Sequence, residues 1–269
     1  MKRILAVTVA TMMLTTPAVA HTPYLVPFNF APTEGVVTVH NGLTNNTFFV
    51  PEFPIKGDDY EVTDADGKVT AGKGVSFTEV GLFEAKLSAE GTYRISTGNR
   101  DVRTLNLARI DGKWRPVKMP VNGVVPEPFV DQSKLSPTSR IVPVKTMVRA
   151  ETYISYKKPS TMAPPPDGKG LEIVPLTHPN QLFAGGIFQF RLAFDGKPLA
   201  DTEWQAFRAN DAYAARTFNM SGKTASDGTA QINFAEPGVY VIEILRNWEK
   251  GNPEDPRTWL SSLTLEVAQ

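Results

Sequence analysis

Between residues 187 and 194 every second side chain is apolar, so Phe188, Phe190, Leu192 and Phe194 share one face. The C-terminal run does the same, with Trp259, Leu263, Leu265 and Val267 opposite Thr264 and Glu266. In residues 144–155, Val144, Val148 and Ile154 face away from Lys145, Arg149 and Glu151. A period of two describes strands packed on one side. Turn signals punctuate these runs: Asp66-Gly67, Asp111-Gly112, Asn122-Gly123, Asp195-Gly196, Asp227-Gly228 and Pro237-Gly238. No stretch carries a helical stripe. The pattern predicts an all-β protein built as two immunoglobulin-like β-sandwich domains in tandem.

An internal echo supports two units. Ala89-Glu90-Gly91-Thr92-Tyr93 resembles Ala235-Glu236-Pro237-Gly238-Val239-Tyr240, each a turn glycine followed two residues later by a tyrosine that opens a strand. That spacing suits a tyrosine corner, with a buried ring whose hydroxyl bonds nearby backbone. Residues 157–170 contain three consecutive prolines flanked by Gly and Ser and read as a stiff connector. The predicted boundaries are a signal peptide over 1–20, a first sandwich over 21–156, the connector over 157–170 and a second sandwich over 171–269.

The first twenty residues have their own pattern. Lys2 and Arg3 precede an apolar run, Ile4 to Leu14, too short to span a bilayer. Thr15, Thr16 and Pro17 break it, and Ala18-Val19-Ala20 offers the small residues a signal peptidase requires. Cleavage after Ala20 is expected, with a periplasmic, soluble product that starts at His21.

Removing Lys2 and Arg3 from 28 basic residues leaves 26 against 28 acidic ones, a formal charge of −2. No basic cluster points to nucleic acid, and no amphipathic or polybasic stretch points to membrane insertion. Cysteine is absent, which excludes disulfides, thiolate metal sites and a cysteine nucleophile.

The mature start His21-Thr22-Pro23-Tyr24-Leu25-Val26-Pro27 belongs to a wider resemblance. With Gly170-Leu171-Glu172-Ile173-Val174-Pro175-Leu176-Thr177-His178-Pro179-Asn180, Phe194-Asp195-Gly196-Lys197-Pro198-Leu199 and Glu236-Pro237-Gly238-Val239-Tyr240, it resembles the family named domain of unknown function 4198. The resemblance covers essentially the whole mature chain. It implies an exported protein described as the periplasmic component of a cobalt- or nickel-type transport system, with an uptake transporter or outer-membrane receptor as partner. The family pattern also places an acidic-His pair after the aromatic pair of the Asn-rich segment. Here Glu52 stands near that place without a histidine.

The candidate chemistry is metal binding. An N-terminal histidine offers its α-amine and ring Nδ1 to one ion, and further imidazoles would complete a set suited to nickel, cobalt, copper or zinc. Pro23 lacks both the amide and the ring that an amino-terminal copper/nickel motif needs, so only bidentate use of His21 survives. The candidate ligands are His21, His40, His178 and, outside these, Glu52. His40 is expected to point toward solvent or a cleft, because it lies on the strand face opposite Val37 and Val39.

Other chemistry finds less support. Ser221-Gly222-Lys223-Thr224 imitates the end of a phosphate-binding loop, but Thr217 stands where glycine is required. Asp58-Asp59 and Asp64-Ala65-Asp66-Gly67 lack the twelve-residue calcium loop. No Gly-x-Ser-x-Gly elbow occurs. The chain therefore reads as a non-enzyme, a periplasmic binding protein for a divalent transition metal. A non-metal adhesion or scaffold module is the alternative, and a copper oxygenase with an N-terminal histidine brace is a third reading.

Overall fold

The structure is a computed structural model that describes residues 21–45, 51–209 and 219–269. The expected signal peptide (1–20) and the aromatic pair Phe48-Phe49 lie outside these residues. The first half carries β1 (Thr22–Pro27), β2 (Val36–Thr44), β3 (Asp59–Thr63), β4 (Val69–Ser76), β5 (Gly81–Lys86), β6 (Gly91–Ser96), β7 (Arg100–Ile110), β8 (Lys113–Lys118), β9 (Val130–Asp131) and β10 (Ile141–Tyr156). The second carries β11 (Leu171–Pro175), β12 (Ile187–Phe194), β13 (Lys197–Pro198), β14 (Glu203–Arg208), β15 (Met220–Lys223), β16 (Thr229–Asn233), β17 (Gly238–Arg246) and β18 (Arg257–Val267). Two short 3₁₀ turns are the only helical pieces among the described residues. The fold class is all-β, as the alternation predicts.

The predicted connector spans the gap between β10 and β11, yet the two halves share one sheet. Its order is β1-β2-β5-β4-β3-β6-β10-β18-β17-β14-β15, with β7, β8 and β9 branching from β10. The join is a parallel pairing of β10 with β18, from Lys145 opposite Arg257 to Thr152 opposite Thr264. A smaller sheet of β11, β12, β13 and β16 is separate in its hydrogen bonding and packs against β10, β17 and β18 through a shared core.

Side chains of β10 enter two cores by parity. Val148, Ala150 and Ile154 join Leu25, Val39, Phe83, Ile95 and Leu260. Met147 and Tyr153 join Phe188, Phe190, Trp259 and Leu263. A strand covered on both faces cannot show a solvent face. The polar positions Arg149 and Glu151 are accordingly each 1% exposed, where one-sided packing predicts a wet face. They are buried because they neutralise each other: Arg149 Nε lies 2.9 Å from Glu151, and Arg94 also pairs with Glu151. Arg149 then reaches the connector, donating to Asp167 at 2.6 Å and to the Lys169 carbonyl at 2.6 Å, and to Glu172 at 3.2 Å. The proline-rich stretch is docked by charge.

Both tyrosine corners form. The Tyr93 hydroxyl donates to the Ala89 carbonyl at 2.6 Å and that of Tyr240 to Glu236 at 2.8 Å. Gly91 and Gly238, at φ 141° and 146°, take the conformation that makes each turn possible.

The first sandwich closes because β4 changes partners midway, pairing β3 through Lys73 and β5 from Gly74. A Cβ on Gly74 would sit 2.6 Å from the Tyr60 ring and 2.8 Å from the Leu82 carbonyl, so the corner admits only glycine without a shift.

Candidate functional site

All six residues of β1 are buried. The strand is held by more than its pairing with β2. Leu25 enters the first core, while Tyr24 and Val26 pack on Phe207 and Val241 of the second half. Thr22 donates to Glu243, and Ser262 donates to the Pro23 carbonyl at 2.5 Å. His21 is thus fixed at the mouth of a clamped strand.

Two neighbours converge on its ring. The β1–β2 register sets Thr22 opposite Thr44, which brings Asn45 beside His21. Residues 51–53 return to the end of β2 through backbone bonds, Leu43 N to Phe53 O at 2.7 Å and Glu52 N to Leu43 O at 2.9 Å. Gly42 permits that return, since a Cβ there would lie 2.5 Å from Pro51 and 2.9 Å from the Tyr24 hydroxyl. The outcome is His21 Nε2 at 2.8 Å from Glu52 Oε2 and 3.0 Å from the Asn45 amide nitrogen. The Phe53 ring meets the imidazole edge-on at 5.6 Å.

One ring nitrogen cannot both donate to a carboxylate and accept from an amide. The carboxylate is the stronger partner, so Nε2 carries the hydrogen. Asn45 then presents its amide oxygen, a flip that leaves the heavy atoms in place. This tautomer leaves Nδ1 as a lone pair, and Nδ1 makes no hydrogen bond among the described residues. Glu52, an outside candidate for a ligand, is placed as the group that orients the His21 ring.

The other two candidates lie elsewhere. His40 pairs across the ladder with Val26, about 16 Å along the strand from His21 at the usual rise. It is 7% exposed, not open to solvent or a cleft, with the Tyr24 and Phe28 rings at 5.4 and 5.5 Å. The face opposite Val37 and Val39 is covered by β1 and the turn after it. Burial pushes the His40 imidazole down to about 4.

His178 sits between β11 and β12 with both ring nitrogens engaged. Nδ1 accepts from the Asn180 amide at 3.3 Å and Nε2 lies 3.1 Å from the Thr92 hydroxyl. It fastens the second half to β6. The structure therefore joins His21 to Glu52 and brings neither His40 nor His178 to them. Among the described residues no three histidine, aspartate or glutamate side chains gather around a common point.

Sequence reasoning missed the cleft beside this histidine. It has a volume of about 320 Å³, walls of Leu43, Phe53, Val102, Val148 and Leu260, and two cations, Lys56 and Arg103. Its residues come from six separate stretches of chain, which no local pattern connects.

Two of the solved structures that this chain resembles are remote. A D0–D1 fragment of intimin is 8% identical, with 93% of this chain and 100% of that one covered, at a TM-score of 0.22. The first three fibronectin domains of chicken CNTN1 are 7% identical over the same shares, at 0.23. No curated protein matches the chain significantly. The family description "Domain of unknown function (DUF4198)" matches residues 18–247, most of the chain with His21 and Glu52 among them, and the chain belongs to that family.

Proposed function

We propose that the mature chain is a periplasmic binding protein for a divalent transition-metal ion (nickel, cobalt, copper or zinc), which it delivers or buffers for an uptake system. The ion is its cargo. Export cleavage after Ala20 frees the His21 amine, and that amine with Nδ1 closes a chelate ring on the ion. The observation that carries this reading is the 2.8 Å bond from His21 Nε2 to Glu52, which leaves Nδ1 as the ring nitrogen that can accept an ion. Two protein donors leave the other coordination positions to water or small ligands. Such a site exchanges its ion readily, as delivery requires and structural storage does not.

The test compares two forms of the mature protein by calorimetry, one starting at His21 and one with a single glycine placed before it. Copper, nickel, cobalt and zinc are titrated into each. The native start should bind at least one ion, and the extended form should bind it about tenfold or more weakly, the equivalent of roughly 1.4 kcal/mol. An inert profile with all four ions, or equal affinity for the two forms, refutes the reading and returns the chain to the scaffold alternative.

A further inference from the structure

We infer that the cleft beside His21 is a binding site for a small organic carboxylate with an apolar body, seated with its charge between Lys56 and Arg103. The inference does not depend on a bound metal ion.

Three observations meet here. The cleft, at about 320 Å³, falls within the range of roughly 300–1,000 Å³ usual for small-ligand sites. Its walls are hydrocarbon and aromatic, so an inorganic anion would waste them. Its two charged side chains are both cations, and neither makes an ion pair with any described residue. A cationic ligand is therefore repelled, and a neutral apolar one leaves the guanidinium without a counter-charge. Arg103 is an exposed residue, yet neighbouring protein takes part of the water from its guanidinium and holds it below its usual range.

The third observation is backbone. In the β7–β10 ladder Arg103 stands opposite Thr146, while the next partner pair is Asp101 with Met147, so Val102 is an extra residue. Consecutive residues of a regular strand point to opposite faces. Because of this bulge, Val102 and Arg103 both line the cleft. One supplies apolar wall and the other charge. Bulges re-aim side chains in this way, and they are frequent beside binding sites. A guanidinium meets a carboxylate with two parallel bonds, which makes that group the best fit for the fork.

The test uses the metal-free mature protein in a chelator, so it is independent of the ion titration above. Benzoate, benzyl alcohol, benzylamine and acetate are titrated while backbone amide shifts are followed by NMR. Benzoate should shift Val102, Arg103 and Val148, binding about fivefold or more tightly than benzyl alcohol, with benzylamine and acetate weaker still. Arg103→Gln and Lys56→Gln, both at exposed positions, should each erase most of the preference for benzoate while leaving the denaturation midpoint in place. Equal binding of benzoate and benzyl alcohol overturns the inference. So does acetate binding as tightly as benzoate, a shift pattern away from the cleft, or no binding at all.

Discussion

The Thr22 hydroxyl donates to the Glu243 carboxylate, 221 positions further along the chain. Strand β1 is thereby tied to the second half, and the tie is dry, with Thr22 at 0% and Glu243 at 3% exposure. Glu243 also accepts from the Gln205 amide at 2.8 Å. Thr22→Val keeps the shape and strips the donor from a buried carboxylate, which costs about 1–3 kcal/mol. The midpoint of urea unfolding should fall accordingly. An unchanged midpoint would show that the bond contributes nothing to stability.

Arg149 is a larger case. Its guanidinium serves Glu151, Glu172, Asp167 and a connector carbonyl at once. Arg149→Met leaves Glu151 with Arg94 and Glu172 with no cation, and breaking a buried pair in this way costs about 3–5 kcal/mol. Arg149→Lys should recover only part of the loss, since an ammonium cannot reproduce a fork of several donors. Denaturant unfolding of both variants checks the order: Met below Lys, and Lys below the parent. Equality of the Lys variant with the parent would mean that charge alone, without geometry, holds the connector.

His40 makes stability sensitive to acid. Its imidazole ionises near 4 in the folded protein against 6.5 for an unperturbed group, so the unfolded chain binds the extra proton between those values. Stability therefore falls as pH drops from 6.5 toward 4, and the His40 contribution is complete above that window. His178, also lowered by burial, pulls in the same direction. Following the imidazole carbons by NMR should show His40 neutral down to about pH 4. His40→Phe should flatten the acid limb of the stability curve. A His40 ring that titrates near 6.5 contradicts its burial between Tyr24 and Phe28.

The sequence announces some of this and hides the rest for physical reasons. β12 is legible because its apolar parity points at a single core, and the tyrosine corners because a glycine and a tyrosine two residues apart fix both backbone and bond. β10 misleads, since its polar parity looks like a wet face. Only the distant residues Arg94, Asp167 and Glu172 make burial of Arg149 and Glu151 tolerable. His40 misleads for the same reason, being covered by rings from another strand. At the site, His21 is visible from the expected cleavage pattern and Glu52 from its place near the family's acidic position. The bridge between Leu43 and Phe53 that brings them together is a tertiary pairing with no local signature.

Glu52 separates an orienting role from a ligand role. If the carboxylate holds the His21 tautomer, Glu52→Gln keeps a hydrogen-bond acceptor but loses its charge, and the ring can turn Nδ1 away from the amine. Partners of this kind typically change metal affinity by about 10–100-fold when removed. Glu52→Gln should weaken the tightest-binding ion by about tenfold, and Glu52→Ala by more, while an ion-loaded spectrum of the Gln variant keeps the ligand-field bands of the parent. A direct ligand behaves differently, because its loss alters the coordination sphere and hence those bands. Calorimetry together with the visible spectrum of the copper or cobalt form distinguishes the two. Affinity unchanged in both variants would remove Glu52 from the site altogether, and with it the reason for Nε2, not Nδ1, to carry the hydrogen.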